Sequence, residues 1–151
     1  FYSKQLNSKI SNKIFLTIYA IMRIIPFMIK EIEIYKSLGE ETRLRIMRIL
    51  IKADVELCAC EIIDVLEKPQ YTISKSLGNL VKAGLIEENR NGRMMFYKLK
   101  SDDDFNRTLF ENIKLIRCAA SPVFQNDFTR LAERLALRKD GICVITCAPD
   151  L

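Results

Sequence analysis

From Glu31 onward, apolar residues recur at helical spacing, and glycine or proline punctuates several of the runs. Ile32, Tyr35 and Leu38 lie three apart before Gly39 breaks the pattern. A second helix is expected in EETRLRIMRILIK, with Leu44, Met47, Leu50 and Ile51 on one face. A third, CACEIIDVLEK, turns Ile62, Ile63 and Leu66 inward. Pro69 suits a first helical turn and opens a fourth helix. That helix carries Ile73, Leu77, Leu80 and Val81 and closes at Gly84. Its other face gathers Tyr71, Thr72, Lys75, Asn79 and Lys82, with two lysines and no acid. A solvated surface is the ordinary reading of such a face, and only the following residues change it.

There the period drops from helical to two. LIEENRNGRMMFYKL reads as two short strands around Asn91-Gly92, a strong hairpin signal because both turn residues would reach positive φ. Met95, Tyr97 and Leu99 alternate with Met94, Phe96 and Lys98, and Arg90 and Arg93 flank the tip. A helix pair with a polar, basic second member, then a hairpin with arginines at its tip, is the order of a winged helix-turn-helix. In that fold the second helix enters the major groove and the wing reaches backbone or minor groove.

After the wing, Asp102, Asp103 and Asp104 suit a helix N-terminus, and Phe105, Leu109, Ile113 and Ile116 stripe that helix. Ser121-Pro122 starts another helix, with Phe124, Phe128, Leu131 and Leu135. This is more apolar helix than a small wing domain needs, and a symmetric dimer interface would use the surplus. The fold class expected is therefore mainly α with a small β-hairpin: a winged helix-turn-helix dimerising through terminal helices. Residues 28–100 form its DNA-binding domain, and residues 101–151 supply dimerisation helices and a cysteine-containing tail.

The segment before Met28 stands apart. Its apolar run, Ile14 to Ile29, has 16 residues and is interrupted by Arg23 and Pro26, short and charged for a membrane span. A signal peptide would need a small-residue cleavage site, which MIKEIEIYK lacks. Residues 1–27 are set aside as an extension whose place in the native protein is left open, with Met28 expected to begin the organised chain. A small membrane-associated protein using residues 14–29 as an interfacial helix is a competing reading; no stable membrane association is expected.

Composition narrows the chemistry. The net charge of +5 suits a polyanionic partner without specifying one. The chain has no histidine, which removes imidazole acid–base catalysis, histidine-activated nucleophiles and imidazole metal ligands. Five glycines form no phosphate-cradling motif, so neither an enzyme nor a catalytic cofactor is expected. The five cysteines (Cys58, Cys60, Cys118, Cys143 and Cys147) have no secreted-framework look, and a cytoplasmic chain with reduced thiols fits better.

Cys58 and Cys60 sit one residue apart at the expected start of the third helix. In a regular helix such a pair would point about 200° apart, so both could face one ion only at a frayed or distorted helix end. Three readings stay open: small residues packed in a core, a thiol-oxidation or persulfide switch, and a soft-metal site.

Three stretches, YKSLGEETRLRIMRIL, ELCACEI and QYTISKSLGNLVKAGLIEENRNGRMMFYKL, together resemble the ArsR/SmtB family of metal-sensing winged-helix repressors across about residues 31–100. The resemblance implies a homodimer on a palindromic double-stranded operator, repressing a resistance operon until an inducer binds. On the matching positions it places Gln70, Tyr71, Thr72, Ser74, Lys75, Ser76 and Asn79 in the recognition helix, and Arg90, Asn91 and Arg93 in the wing. Basic side chains should fix phosphate register, with Gln70, Thr72 and Asn79 better suited to base edges.

Cys58 and Cys60 match the family's sensor motif, implying arsenite or another soft ion such as Cd or Pb as inducer. A pyramidal As(III) site wants three sulfurs, and here Glu61, Ile62 and Ile63 follow the pair without a third cysteine. Cys143 or Cys147 is favoured as the missing donor, and Cys118 reads as an ordinary buried cysteine.

Overall fold

The fold is that of a computed structural model describing residues 2–116, 121–141 and 143, with side chains described from residue 16 onward except 26 and 27. The chain forms two compact units, Phe1–Tyr35 and Lys36–Leu151. The first unit lies within helix α1 (Tyr2–Leu38), which begins well before the helix expected from Glu31. Among its described side chains, Ile18, Ile21, Met22, Ile25 and Ile29 are all exposed. No described helix is long and apolar enough to cross a membrane.

The second unit continues with α2 (Glu41–Ala53), β1 (Leu57–Cys58), α3 (Ala59–Leu66) and α4 (Gln70–Lys82). The hairpin β2 (Ile86–Asn91) and β3 (Met94–Leu99) follows, then α5 (Asp104–Leu115) and α6 (Pro122–Ala136). Local chemistry sets the helix ends. The Glu40 carboxylate accepts the Thr42 and Arg43 N–H groups at 2.9 and 3.0 Å to start α2. Asp103 accepts the Asn106 N–H at 2.7 Å to start α5, and Pro122 sits in the first turn of α6.

The core is built from α2, α3 and α4 over the sheet, and Ile46, Met47, Leu50, Ile62, Val65, Leu66, Ile73, Leu77, Leu80 and Leu85 are buried. Each such side chain contributes about 1.5–3 kcal/mol through burial. In α3 the inward stripe is Ile62, Val65 and Leu66, with Ile63 only partly covered. Helix α6 packs along both α3 and α2 and is tied to them by a buried ion pair. Asp127 accepts from Arg45 at 2.7 and 2.8 Å, and the same guanidinium reaches the Leu66 carbonyl at 3.2 Å.

The sheet order is β1-β3-β2, antiparallel throughout. The two-residue strand β1 was not expected from the sequence. By covering the outer edge of β3 it makes β3 central, and both Phe96 and Tyr97 become buried although they point to opposite faces. The hairpin turn also sits one residue later than expected. Asn91 still pairs with Met94, so Gly92 and Arg93 form the loop, and of these only Gly92 has positive φ, at +62°. A glycine leading a two-residue loop satisfies the turn without asking Asn91 to leave the strand.

Candidate functional site

Strand β1 and helix α3 meet at Cys58, which is both the last residue of β1, opposite Phe96, and the N-cap of α3. Its backbone is extended, with φ −77° and ψ 156°. Cys58 is therefore outside the regular helix that holds Cys60, and the 100° step between helical residues does not separate their side chains. The cap is reciprocal: the Cys58 sulfur accepts the Glu61 N–H at 3.4 Å, and the Glu61 carboxylate accepts the Cys58 N–H at 2.8 Å.

Cys143, 85 residues further along, brings its sulfur to 3.0 Å from that of Cys58. The two cysteines and Phe96 form a buried cluster, against which Cys60 and Met94 pack. Three of the four cysteines singled out from the sequence are thus brought together within one chain. Cys58 and Cys143 are not disulfide-bonded, whereas the Cys60 sulfur is in disulfide form. Cys147 and Cys118 lie outside the described residues.

Two arginines, Arg134 near the end of α6 and Arg138 just after it, place positive charge beside the sulfurs. Arg138 donates to both oxygens of Glu61 at 2.7 Å, and also to the Glu56 carbonyl at 2.7 Å and the Gly141 carbonyl at 3.4 Å. It therefore joins the start of α3 to the tail that carries Cys143. Arg134 donates to Asp64 at 2.8 Å and reaches the Cys143 sulfur at 3.8 Å. Burial opposes ionisation of Glu61, but the Arg138 guanidinium and the Cys58 N–H outweigh it and hold the carboxyl below its ordinary value. Burial, then the shared hydrogen bond with Cys143, pushes the Cys58 thiol up to about 12.

The donor atoms of Cys58, Glu61 and Cys143 all lie within 4.8 Å of one another. Two soft sulfurs in a buried cluster are the donor type that suits a thiophilic ion, and such an ion would have to displace the Cys58 proton to bind there. Of the residues that complete this site, Glu61 was legible as the acid three places after a helix cap. Arg134, Arg138 and Phe96 carry no local signal, because they reach the site only through tertiary packing.

The DNA-facing residues divide less evenly than the sequence implied. Gln70, Tyr71, Ser74 and Lys75 are exposed on α4, with Thr72 and Asn79 half-buried beside them. Ser76 is a correction: it is 5% exposed and lies on the core side of α4 between Ile73 and Leu77. At 100° per residue, position 76 falls nearer that buried stripe than the polar face. Arg90, Asn91 and Arg93 are exposed at the wing tip, where Arg90 donates to the Gly92 carbonyl at 3.2 Å.

Residues 40–88, which span α2 to the start of β2, match the family described as bacterial regulatory protein, arsR family. The chain is 42% identical over 73 residues to an uncharacterized HTH-type transcriptional regulator, MJ1325, of Methanocaldococcus jannaschii, covering 48% of this chain and 81% of that one. It is 39% identical over 66 residues to the arsenic resistance transcriptional regulator ArsR1 of Pseudomonas putida, covering 44% and 51%. It is also 33% identical over 67 residues to the cadmium resistance transcriptional regulatory protein CadC of Listeria innocua, covering 44% and 56%. The chain thus spans about half the length of these two resistance regulators.

Among solved structures, reduced HlyU from Vibrio cholerae aligns with a TM-score of 0.54 at 25% identity, over 64% of this chain and 97% of that one. A homodimeric winged helix-turn-helix DNA-binding domain from Mycobacterium bovis, Mb0332, aligns with a TM-score of 0.54 at 23% identity, over 62% and 83%. The winged helix-turn-helix fold is common to both.

Proposed function

The chain belongs to the arsR family of bacterial regulatory proteins, and from that membership we propose that it is a repressor whose operator is released when a thiophilic metalloid binds Cys58, Cys60 and Cys143. The observation that carries the reading is the 3.0 Å approach of the Cys58 and Cys143 sulfurs with Cys60 packed on the pair. Arsenite is the favoured inducer because three sulfurs complete a pyramidal As(III) site. Cd(II) and Pb(II) are the other soft ions to compare. The arsenic- and cadmium-resistance functions in the names of two relatives support the same class of ligand.

As a repressor, the chain would act as a homodimer on a palindromic operator, with α4 in the major groove and the wing beside it. Gln70, Thr72 and Asn79 are assigned to base edges, and Lys75, Arg90 and Arg93 to phosphates, with Tyr71, Ser74 and Asn91 alongside. Helix α3 packs directly on α4. An ion gathering Cys58 from the α3 cap, Cys60 from its first turn and Cys143 from the tail would fix one arrangement of α3. It releases DNA if that arrangement is disfavoured on the operator. Coordination needs Cys60 as a thiol, which suits a reducing cytoplasm.

A second reading has its own support: two cysteine sulfurs 3.0 Å apart beside a disulfide-form Cys60 would also serve an oxidation-responsive repressor. One experiment separates the two. Reduced full-length protein on DNA from its own upstream region is titrated with arsenite, Cd(II), Pb(II) and hydrogen peroxide. The metalloid reading expects release by arsenite under reductant, abolished in Cys58→Ser and Cys60→Ser and retained in Cys118→Ser. Release by peroxide with no response to any ion would leave the redox reading standing alone.

A further inference from the structure

The Glu61 carboxylate lies within reach of both sulfurs, yet it is fully engaged elsewhere. Its Oε1 accepts from Arg138 Nε, and its Oε2 accepts from a second Arg138 nitrogen and from the Cys58 N–H. We infer that Arg138 is a specificity-determining residue, which keeps the sulfur site selective for a three-coordinate metalloid by withholding Glu61 as a fourth donor. The inference rests on the sulfur site proposed above and says which ions that site excludes.

The chemistry turns on coordination number. As(III) is satisfied by three sulfurs and has no use for a carboxylate. Zinc is typically four-coordinate and accepts a carboxylate oxygen beside thiolates, and cadmium, its heavier d10 congener, likewise takes a fourth donor. With donor atoms of Cys58, Glu61 and Cys143 within 4.8 Å of one another, a small rotation of Glu61 would complete such a set. Arg138 opposes that rotation in two ways. Its planar fork matches both carboxylate oxygens, so any movement breaks two charge-assisted hydrogen bonds at once. Its own position is fixed by the Glu56 and Gly141 carbonyls, so it cannot follow Glu61 toward an ion. Glu61 is completely buried, so water is not at hand to replace the lost partner.

The test uses the full chain, reduced, as the parent and as Arg138→Ala, Arg138→Gln and Arg138→Ala/Glu61→Gln. Arsenite and Cd(II) compete for each protein, and the bound ion is measured by elemental analysis after desalting, with no DNA present. The parent should prefer arsenite. Both Arg138 variants should shift the Cd(II)-to-arsenite ratio toward Cd(II) by about tenfold or more, in the range seen when partners of metal ligands are changed. The double variant should return the ratio to the parent's, because the gained donor is then missing. A ratio unchanged in both Arg138 variants overturns the inference. So does a shift that persists in the double variant, which would trace it to loosening of the tail. A parent that binds neither ion refutes the sulfur site itself, and that outcome is distinct from the other two.

Discussion

Replacing Asp127 with alanine should destabilise the second unit more than any single surface change, because it strands a buried cation. Asp127 is completely buried, and Arg45 is 6% exposed. The pair is closed by two hydrogen bonds of 2.7 and 2.8 Å, and the Asp127 contact is the first reason the Arg45 guanidinium is held above its ordinary value. Without Asp127, Arg45 keeps only the Leu66 carbonyl at 3.2 Å and the mostly exposed Glu41 at 3.6 Å. Breaking a buried pair from one side costs about 3–5 kcal/mol. Against a domain stability of about 5–15 kcal/mol, that is about a fifth of the total or more.

Urea unfolding at fixed protomer concentration should lower the midpoint by about 2 M, for a slope of about 2 kcal/mol per M. A paired replacement, Arg45→Met with Asp127→Leu, should recover most of the loss, since no charge is then left buried. An Asp127→Ala loss below about 1 kcal/mol would refute the reasoning. A double variant as damaged as the single one would also refute it, because packing and not charge would then be at stake.

Glu61 is held below its ordinary value, so the unfolded state takes up its proton first and stability falls as pH drops below about 4.5. Acid unfolding of Glu61→Gln should show a shallower dependence there, although that variant starts from lower stability. Gly92→Ala meets nothing within 4 Å of the added carbon, so only its positive φ is strained; a loss of about 1 kcal/mol in thermal unfolding is expected, with DNA affinity following only as the wing shifts. Arg93→Ala should weaken operator and non-operator DNA alike. It should also reduce the slope of log affinity against log salt by about one, whereas a base contact would lose operator affinity alone.

The parts of this fold that announce themselves in sequence are local. The stripe of α4, the hairpin, and the Ser121-Pro122 helix start each rest on residues a few positions apart, whereas in α2 only Met47 and Leu50 of the expected face are buried and Leu44 and Ile51 are partly covered. The cysteine pair at the head of α3 was equally visible, as was its need for a distorted helix end. What stayed hidden depends on distant partners. Strand β1 is two residues long and exists only because β3 lies beside it. Ser76 reads as polar by type, yet a small hydroxyl fits between Ile73 and Leu77 on the core side of α4. The Arg138–Glu61 and Arg45–Asp127 pairs join residues 77 and 82 positions apart, and no periodicity reports such contacts. A tail cysteine is the favoured source of the third sulfur that the resemblance implies; the structure brings the Cys143 sulfur to that of Cys58, and Cys147 lies outside the described residues.

The central claim is that Cys143 completes the inducer site begun by Cys58 and Cys60. It is tested most directly by Cys143→Ser on operator DNA under reductant, titrated with arsenite beside the parent. The account predicts operator affinity close to the parent's in the absence of arsenite and no release at concentrations that free the parent completely. Release of the Cys143→Ser protein at the parent's arsenite concentration would contradict it.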